Sequence, residues 1–385
     1  MDTKQLYNEY IANTYKRFDA VFVSGRGSVL TDEGGREYID LGGGIAVNTM
    51  GLSDESWADA VCAQVRKLAH TSNLYYVEPQ AELAQKLCER TGMKRVFFSN
   101  SGAEANECMI KSARKYSSEK NGNSTIVTLG GSFHGRTITT LSATGQTEFH
   151  RDFGPFTQGF VHVQPGDLDE LRAVCDEHDP CAVMIELIQG EGGVVALDKD
   201  YVAEIEKLCR ERGMLFAIDE IQTGNGRTGA LYAYMKYGVE PDMITTAKGL
   251  AGGLPLGATL FGNRVKDVLD PGSHGSTFGG NPVCAAGALN ILDQLDDALL
   301  DEVDRKGRFT ADFLSGIKGV ESVSGMGLML GAKTERPAAE IAAACLENGV
   351  AVLTAKDKVR LLPALNIPHD VLEKGLEIVK EVIEK

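Results

Sequence analysis

Long hydrophobic runs are missing: no stretch of the 385 residues approaches the ~20 apolar residues of a membrane helix. Behind Met1-Asp2-Thr3-Lys4-Gln5 there is no apolar core of a secretion signal either. The chain is therefore expected to be soluble and cytoplasmic, with no membrane partner. Basic residues are the scarcer charge, 39 Lys+Arg against 54 Asp+Glu, for a net charge of −15. Nothing basic is left over to neutralise phosphates, which excludes a general nucleic-acid binder. Cysteine spacing of the metal or redox kind is also missing. Cys62, Cys88, Cys108, Cys175, Cys181, Cys209, Cys284 and Cys345 contain no C-x-x-C pair, and the seven histidines do not fall at ligand spacing near them. Neither a disulfide framework nor a metal site is expected, and most of the cysteines read as small buried hydrophobes.

Apolar residues at 43% and charged residues at 24% are what a packed globular chain carries, and the length suggests two domains. Glycine is in excess, 44 residues where the usual ~7% would give about 27. Much of it is clustered, which points to backbone that approaches something closely. Short apolar runs are expected to be strands at Arg95–Ser99, Thr125–Leu129, Ala182–Leu187, Met214–Asp219, Met243–Thr246 and Ala258–Phe261. Amphipathic stretches at Glu104–Ser118, Asp167–Glu177 and Tyr201–Arg212 separate them. Apolar strands alternating with helices predict an α/β fold with a mostly parallel sheet. Residues 49–281 are assigned to this large domain. Residues 1–48 and 282–385 are assigned to a smaller α+β domain built from both termini.

In open α/β sheets, ligands gather at the carboxyl ends of strands, and four such ends carry unusual residues. Ser99-Asn100-Ser101-Gly102-Ala103-Glu104 opens a helix with small residues, leaving backbone N–H groups and a positive dipole end for a phosphate. The plainer reading is a capping box between Ser101 and Glu104. Ser132-Phe133-His134-Gly135-Arg136 offers a ring to stack on a flat ligand and a fork for a carboxylate. Asp219 ends a fully apolar strand and calls for a cationic partner, which no sequence neighbour supplies. Lys248 sits among small apolar residues, where desolvation lowers its pKa and makes it a nucleophile toward carbonyls. An amine, an acid, a ring and an anion site together meet the needs of pyridoxal phosphate.

With these residues in hand, the sequence resembles the class III, fold-type-I pyridoxal-phosphate aminotransferases over nearly the whole chain. The matching stretches are Ser99–Glu107, Ser132–Thr137, Glu186–Gly193, Ile218–Gly229, Lys248–Gly257 and His274–Pro282. Within the family, His70–Tyr76 (HTSNLYY), Gly44–Asn48 and Leu362–Ile367 are most similar to members that act on N-acetylornithine. They separate the chain from ornithine δ-aminotransferases more clearly than from members acting on N-succinylornithine or N-succinyl-diaminopimelate. Leu187 stands where the family usually has Pro, and Leu52-Ser53-Asp54-Glu55 replaces a His-containing turn.

The resemblance implies transfer of an ω-amino group from N-acetylornithine to 2-oxoglutarate, in arginine biosynthesis. Related ω-amino donors such as N-succinylornithine, N-succinyl-diaminopimelate, ornithine or 4-aminobutyrate are the alternative. It further implies that Lys248 bonds the cofactor aldehyde and carries the proton, that Asp219 faces the ring nitrogen, and that Gln222 contacts the ring hydroxyl. Gly102 and Ala103, beside Ser101, would hold the phosphate, and Phe133 would stack on the ring. Ser276 and Thr277 would reach the site from the partner subunit of a homodimer, Thr277 to the phosphate. Arg136 would bind the distal carboxylate of either substrate and Arg360 the α-carboxylate of 2-oxoglutarate. Glu191 would cover Arg360 when the ω-amine donor is present.

Two other enzyme classes and a non-catalytic role are the alternatives. Gly224-Asn225-Gly226-Arg227-Thr228-Gly229 fits the G-x-G-x-x-G of nicotinamide enzymes, but it follows Asp219-Glu220, whose charges would repel a pyrophosphate. An aminomutase would keep the cofactor and not consume 2-oxoglutarate. A non-catalytic interaction protein would have no use for both Lys248 and Asp219.

Overall fold

A computed structural model of the chain describes residues 1–120 and 122–385. Its centre is a seven-stranded sheet in the spatial order Arg95–Ser99, Gly257–Phe261, Met243–Thr246, Leu215–Asp219, Ala182–Ile185, Ile126–Leu129, Phe160–Val163. Gly257–Phe261 runs antiparallel to both neighbours and the other ladders are parallel. Every residue of Ile126–Leu129, Ala182–Ile185, Leu215–Asp219, Met243–Thr246 and Gly257–Phe261 is buried. Burial on both faces explains why these strands read as continuous apolar runs. Phe160–Val163 was not anticipated from the sequence. It is a four-residue edge strand in which only Val163 is buried, so it carries neither a continuous run nor a clear alternation.

The intervening helices are Gly102–Ser118, Leu168–His178 and Lys199–Arg212. Asp167 and Asp198 cap the last two, and Gly213, at φ 72°, ends the third in the left-handed region. The Pro282–Gln294 helix packs on Glu55–Lys67 and Glu78–Thr91. It buries Cys284, Ala288 and Ile291 in the apolar cluster of the main sheet, although the sequence division places it after residue 281.

Residues from the two ends share a sheet. Phe22–Arg26, Val29–Asp32 and Glu37–Asp40 are joined by Val350–Ala351, which lies parallel to Glu37–Asp40 with Val350 opposite Ile39. A second sheet has the order Val320–Met326, Met329–Thr334, Lys358–Leu361, Leu353–Ala355. Ile39 and Leu41 pack in one cluster with Leu314, Ile341 and Leu372. The His369–Glu384 helix contributes Leu372, Leu376, Val379 and Ile383 to that cluster, spaced by three or four residues on one face. No helix among the described residues is long and apolar enough to cross a membrane.

Candidate active site

A cavity of about 460 Å³ opens at the carboxyl ends of the main strands. Its walls bring together Ser101, Gly102, Ala103, Phe133, Arg136, Asp219, Gln222 and Lys248. These residues come from the turns after four different strands, which is where an α/β sheet offers its free backbone and side chains.

Lys248 follows Met243–Thr246 and takes a left-handed backbone, φ 46°. No hydrogen bond or ion pair ties its amine to the described residues. Burial pushes its pKa down; nearby Glu191, Asp219 and Glu186 pull the other way and Arg360 adds to the depression, and the net shift is downward.

Asp219 is 4% exposed and its carboxylate is fully engaged. Oδ2 accepts from Asn106 Nδ2 at 2.7 Å and lies 2.8 Å from His134 Nδ1, and Oδ1 accepts from Ile221 N at 3.0 Å. His134 is therefore a hydrogen-bonding partner for Asp219 that the sequence reading did not find. Burial disfavours the imidazolium, but the hydrogen bond and charge of Asp219, with Glu186 nearby, outweigh it and raise the His134 pKa. Asn106 is itself held by Thr245 Oγ1 at 2.7 Å. Glu186 is buried, accepts from Phe133 N at 2.8 Å, and is pushed by burial up to about 7. His134 and Glu186 in the cavity wall, with Asn106 behind Asp219, form a polar shell that sequence reasoning missed.

At the helix start, Ser101 Oγ accepts from Glu104 N at 3.2 Å. The Glu104 carboxylate turns instead to Asn100, accepting from its N and Nδ2 at 2.7 and 2.8 Å, so the capping box is only half made. The first-turn N–H groups of Gly102 and Ala103 have no acceptor among the described residues. A Cβ on Gly102 would lie 2.7 Å from Ile221 Cδ1, which accounts for the glycine.

Phe133 meets Phe149 edge-on at 5.8 Å, and the Arg136 guanidinium lies 4.0 Å from the Phe149 ring centre. Arg136 is exposed and has no carboxylate partner among the described residues. Arg360, only 3% exposed, is instead paired: Nη1 is 2.7 Å from Glu191 Oε1. Gln222 bridges the pair, 3.4 Å from each. Burial would raise the Glu191 pKa, but Arg360 overcomes this and holds it below the usual value. Ser276 and Thr277 do not line this cavity. Ser276 Oγ accepts from Asn100 Nδ2 at 3.1 Å, and Thr277 lines a separate recess with Asn73.

The two departures from the family pattern are accommodated locally. Leu187 is buried and its carbonyl accepts from Tyr237 Oη at 3.1 Å. Asp54 caps the Glu55–Lys67 helix through Trp57 N at 2.9 Å. The G-x-G-x-x-G turn at Gly224–Gly229 opens no helix, so it lacks the N-terminus a dinucleotide site requires.

A mostly parallel seven-stranded sheet, with an unpartnered lysine and a buried aspartate at its carboxyl edge, defines a fold-type-I transferase of the pyridoxal-phosphate class. The chain belongs to the Aminotransferase class-III family, whose model matches residues 10–383. That family is pyridoxal-phosphate-dependent. The chain is 48% identical to the acetylornithine aminotransferase of Haemophilus ducreyi, over 99% of this chain and 98% of that one. It is 41% identical to that of Aquifex aeolicus, over 97% and 100%. Among solved structures it is similar to the N-acetylornithine aminotransferase of Stenotrophomonas maltophilia, at a TM-score of 0.85 and 34% identity, covering 98% of each chain. The ornithine aminotransferase of Toxoplasma gondii, with pyridoxal phosphate at partial occupancy in its active site, superposes at a TM-score of 0.94 with 30% identity, over 99% of this chain and 93% of that one.

Proposed function

We propose that the chain transfers the ω-amino group of N-acetylornithine to 2-oxoglutarate, giving N-acetylglutamate 5-semialdehyde and glutamate in the cytoplasm, as a step of arginine biosynthesis. The observation that carries this reading is the Glu191–Arg360 pair, bridged by the cavity residue Gln222, together with Arg136 and Lys248 in the cavity wall, neither of which has a carboxylate partner among the described residues. One site then serves a donor with no carboxylate next to its reacting amine and an acceptor that has one.

The residue set fits pyridoxal phosphate: an amine without a partner, a buried carboxylate, free N–H groups at a helix start, and an aromatic ring. When bound, the cofactor supplies an aldehyde and an electron-withdrawing ring. Lys248 would hold the cofactor through its aldehyde, and its amine would move the proton at the reacting carbon. Asp219 would present a fixed negative charge to the ring nitrogen, and His134 and Asn106 hold that carboxylate in place. Gly102 and Ala103, beside Ser101, would hold the phosphate, Phe133 would cover the ring, and Gln222 would contact the ring hydroxyl. Arg136 binds the substrate carboxylate far from the reacting carbon. Arg360, released by Glu191, binds the α-carboxylate of the oxo acid.

Ser276 and Thr277 belong in this reading to a homodimer, each reaching the partner's site and Thr277 its phosphate. Supporting this, the neighbouring segment leaves Leu74, Tyr75 and Tyr76 at 89%, 70% and 108% exposure, apolar surface of the kind a second subunit covers.

Charge-assisted hydrogen bonds contribute about 1.5–3 kcal/mol each, roughly 10- to 100-fold in binding. Arg136→Ala is expected to weaken both half-reactions by about that factor, and Arg360→Ala mainly the 2-oxoglutarate half. Glu191→Ala leaves Arg360 uncovered and should improve glutamate as a donor relative to N-acetylornithine. Single-turnover rates with each substrate test the assignment. Equal losses in both halves for Arg360→Ala, with unchanged donor preference in Glu191→Ala, would refute it. A panel of N-acetylornithine, N-succinylornithine, N-succinyl-diaminopimelate, ornithine and 4-aminobutyrate tests the donor itself.

A further inference from the structure

The glycine-rich turn Gly224–Gly229 does not line the cavity, yet two of its polar side chains, Asn225 and Arg227, are tied to groups on either side of the site. Asn225, at φ 56°, donates from Nδ2 to Thr246 Oγ1 at 2.9 Å and to Ala247 O at 3.2 Å, immediately before Lys248. Arg227 is 3% exposed, and its Nη1 donates to Leu328 O at 3.0 Å and to Pro363 O at 2.5 Å. Pro363 lies three residues after Arg360 on the same chain segment. The carbonyl of Arg227 also accepts from Leu328 N at 3.0 Å, closing a two-way tie to the turn between the strands Val320–Met326 and Met329–Thr334. Met329–Thr334 in turn pairs with the strand that carries Arg360, Gly331 lying opposite Arg360.

The glycines let these approaches happen. A Cβ on Gly226 (φ 85°) would fall 2.8 Å from Leu365 Cδ1, and one on Gly327 (φ 57°) 2.7 Å from Arg227 O. The same segment is held from its other side, where Leu362 N donates to Leu41 O at 2.7 Å and Leu365 N to Thr49 O at 2.9 Å. A buried guanidinium is a costly way to hold two carbonyls. Its burial drives the Arg227 pKa down to about 9, with Asp40 providing the opposing charge. An apolar side chain would fill the space more cheaply but would leave the Pro363 carbonyl unheld.

We infer that Arg227 is a positioning residue for Arg360: by gripping Leu328 and Pro363 it sets the backbone from which Arg360 reads the oxo-acid carboxylate, while Asn225 on the same turn sets Lys248. The inference rests on the roles given to Arg360 and Lys248 under the proposed function. A binding arginine must be held within about 0.5 Å to work, and a displacement of about 1 Å costs up to roughly 100-fold. The two ties therefore differ in consequence. Lys248 serves both half-reactions and Arg360 only one.

The test compares Arg227→Met, Arg227→Lys and Asn225→Ala, each by single turnover with N-acetylornithine and with 2-oxoglutarate, alongside the thermal midpoint. Arg227→Met is expected to raise the apparent dissociation constant for 2-oxoglutarate by roughly 10- to 100-fold, with the donor half changed by less than about threefold. Arg227→Lys keeps the charge without the planar fork and should recover part of this loss. Asn225→Ala should slow both halves alike. Arg227→Met combined with Arg360→Ala should be no worse than Arg360→Ala alone, because residues acting through one another are not additive. Equal losses in both halves for Arg227→Met, or full additivity with Arg360→Ala, would overturn the inference. Should Arg227→Met fail to fold, Arg227→Lys carries the same comparison. If Arg360→Ala by itself spares the 2-oxoglutarate half, the role of Arg360 has failed as well, and that result is distinct from the failure of Arg227 alone.

Discussion

Lys248→Ala is expected to abolish turnover in both half-reactions, by roughly 10⁴-fold or more, because one amine is asked to act first as nucleophile and then as proton carrier. Two features of the site suit that amine to both tasks. It lacks any hydrogen-bond or salt-bridge partner among the described residues, and its pKa is lowered chiefly by burial, which favours the reactive neutral form. The variant should still fold. Its left-handed backbone at φ 46° costs about 1–2 kcal/mol for alanine as for lysine, and removing an amine that has no hydrogen-bond partner among the described residues leaves no buried group unsatisfied. The measurement is borohydride reduction in the presence of pyridoxal phosphate, followed by peptide mass mapping. Wild-type protein should gain the reduced label on the peptide containing Lys248, and the variant should gain none at this site. A label on another cavity residue of the variant, with turnover retained, would remove Lys248 from its role.

The parts of the fold legible in the sequence were those whose burial is symmetric. Ala182–Ile185 and Leu215–Asp219 have both faces covered, so their apolar runs stand out without knowledge of their neighbours. The sequence reading extended the first to Leu187, but the ladder stops before Glu186, whose carboxylate turns to the Phe133 N–H. Phe160–Val163 is half exposed at the sheet edge, and its identity as a strand depends on pairing with Ile126–Leu129. The Pro282–Gln294 helix is rich in small residues, and its placement comes from close packing on Glu55–Lys67 rather than from any pattern of its own. Such tertiary choices leave little local trace.

The site divides the same way. Asp219 and Lys248 were conspicuous because each is a charge in apolar or glycine-rich sequence. Arg360, Glu191 and Gln222 came from family resemblance, and their mutual contact depends on Lys358–Leu361 crossing back beside the main sheet. His134 was passed over between Phe133 and Arg136, since a lone histidine beside a glycine signals nothing. Its partner lies 85 positions along the chain, brought near only by the strand order. Asn106 is equally silent: a polar residue in a helix, fully buried, whose use appears once Thr245 and Asp219 are seen on either side.

Those silent residues determine what Asp219→Asn does. The substitution keeps the shape and removes the charge proposed to face the ring nitrogen. An opposite charge about 4 Å away contributes about 4 kcal/mol at an effective dielectric of 20, which is roughly 10³-fold in the rate of the proton-transfer step. The surrounding network adds a structural penalty. Oδ2 now accepts from both Asn106 and His134, and Oδ1 from Ile221 N. An amide can accept on only one side, so either the Ile221 N–H or the paired donors face an NH₂ group. Leaving one such donor unsatisfied costs about 1–3 kcal/mol. His134 should also lose the hydrogen bond and charge of Asp219 that raise its pKa, leaving burial, opposed by Glu186, to push it down. The expected result is a folded protein with a modestly lowered thermal midpoint and a single-turnover rate down by about three orders of magnitude in both halves. Deuterium at the reacting carbon should slow it further, which identifies the affected step as proton transfer. A variant with a near-normal single-turnover rate would sink the electrostatic role of Asp219, and loss of folding alone would be visible separately in the thermal midpoint.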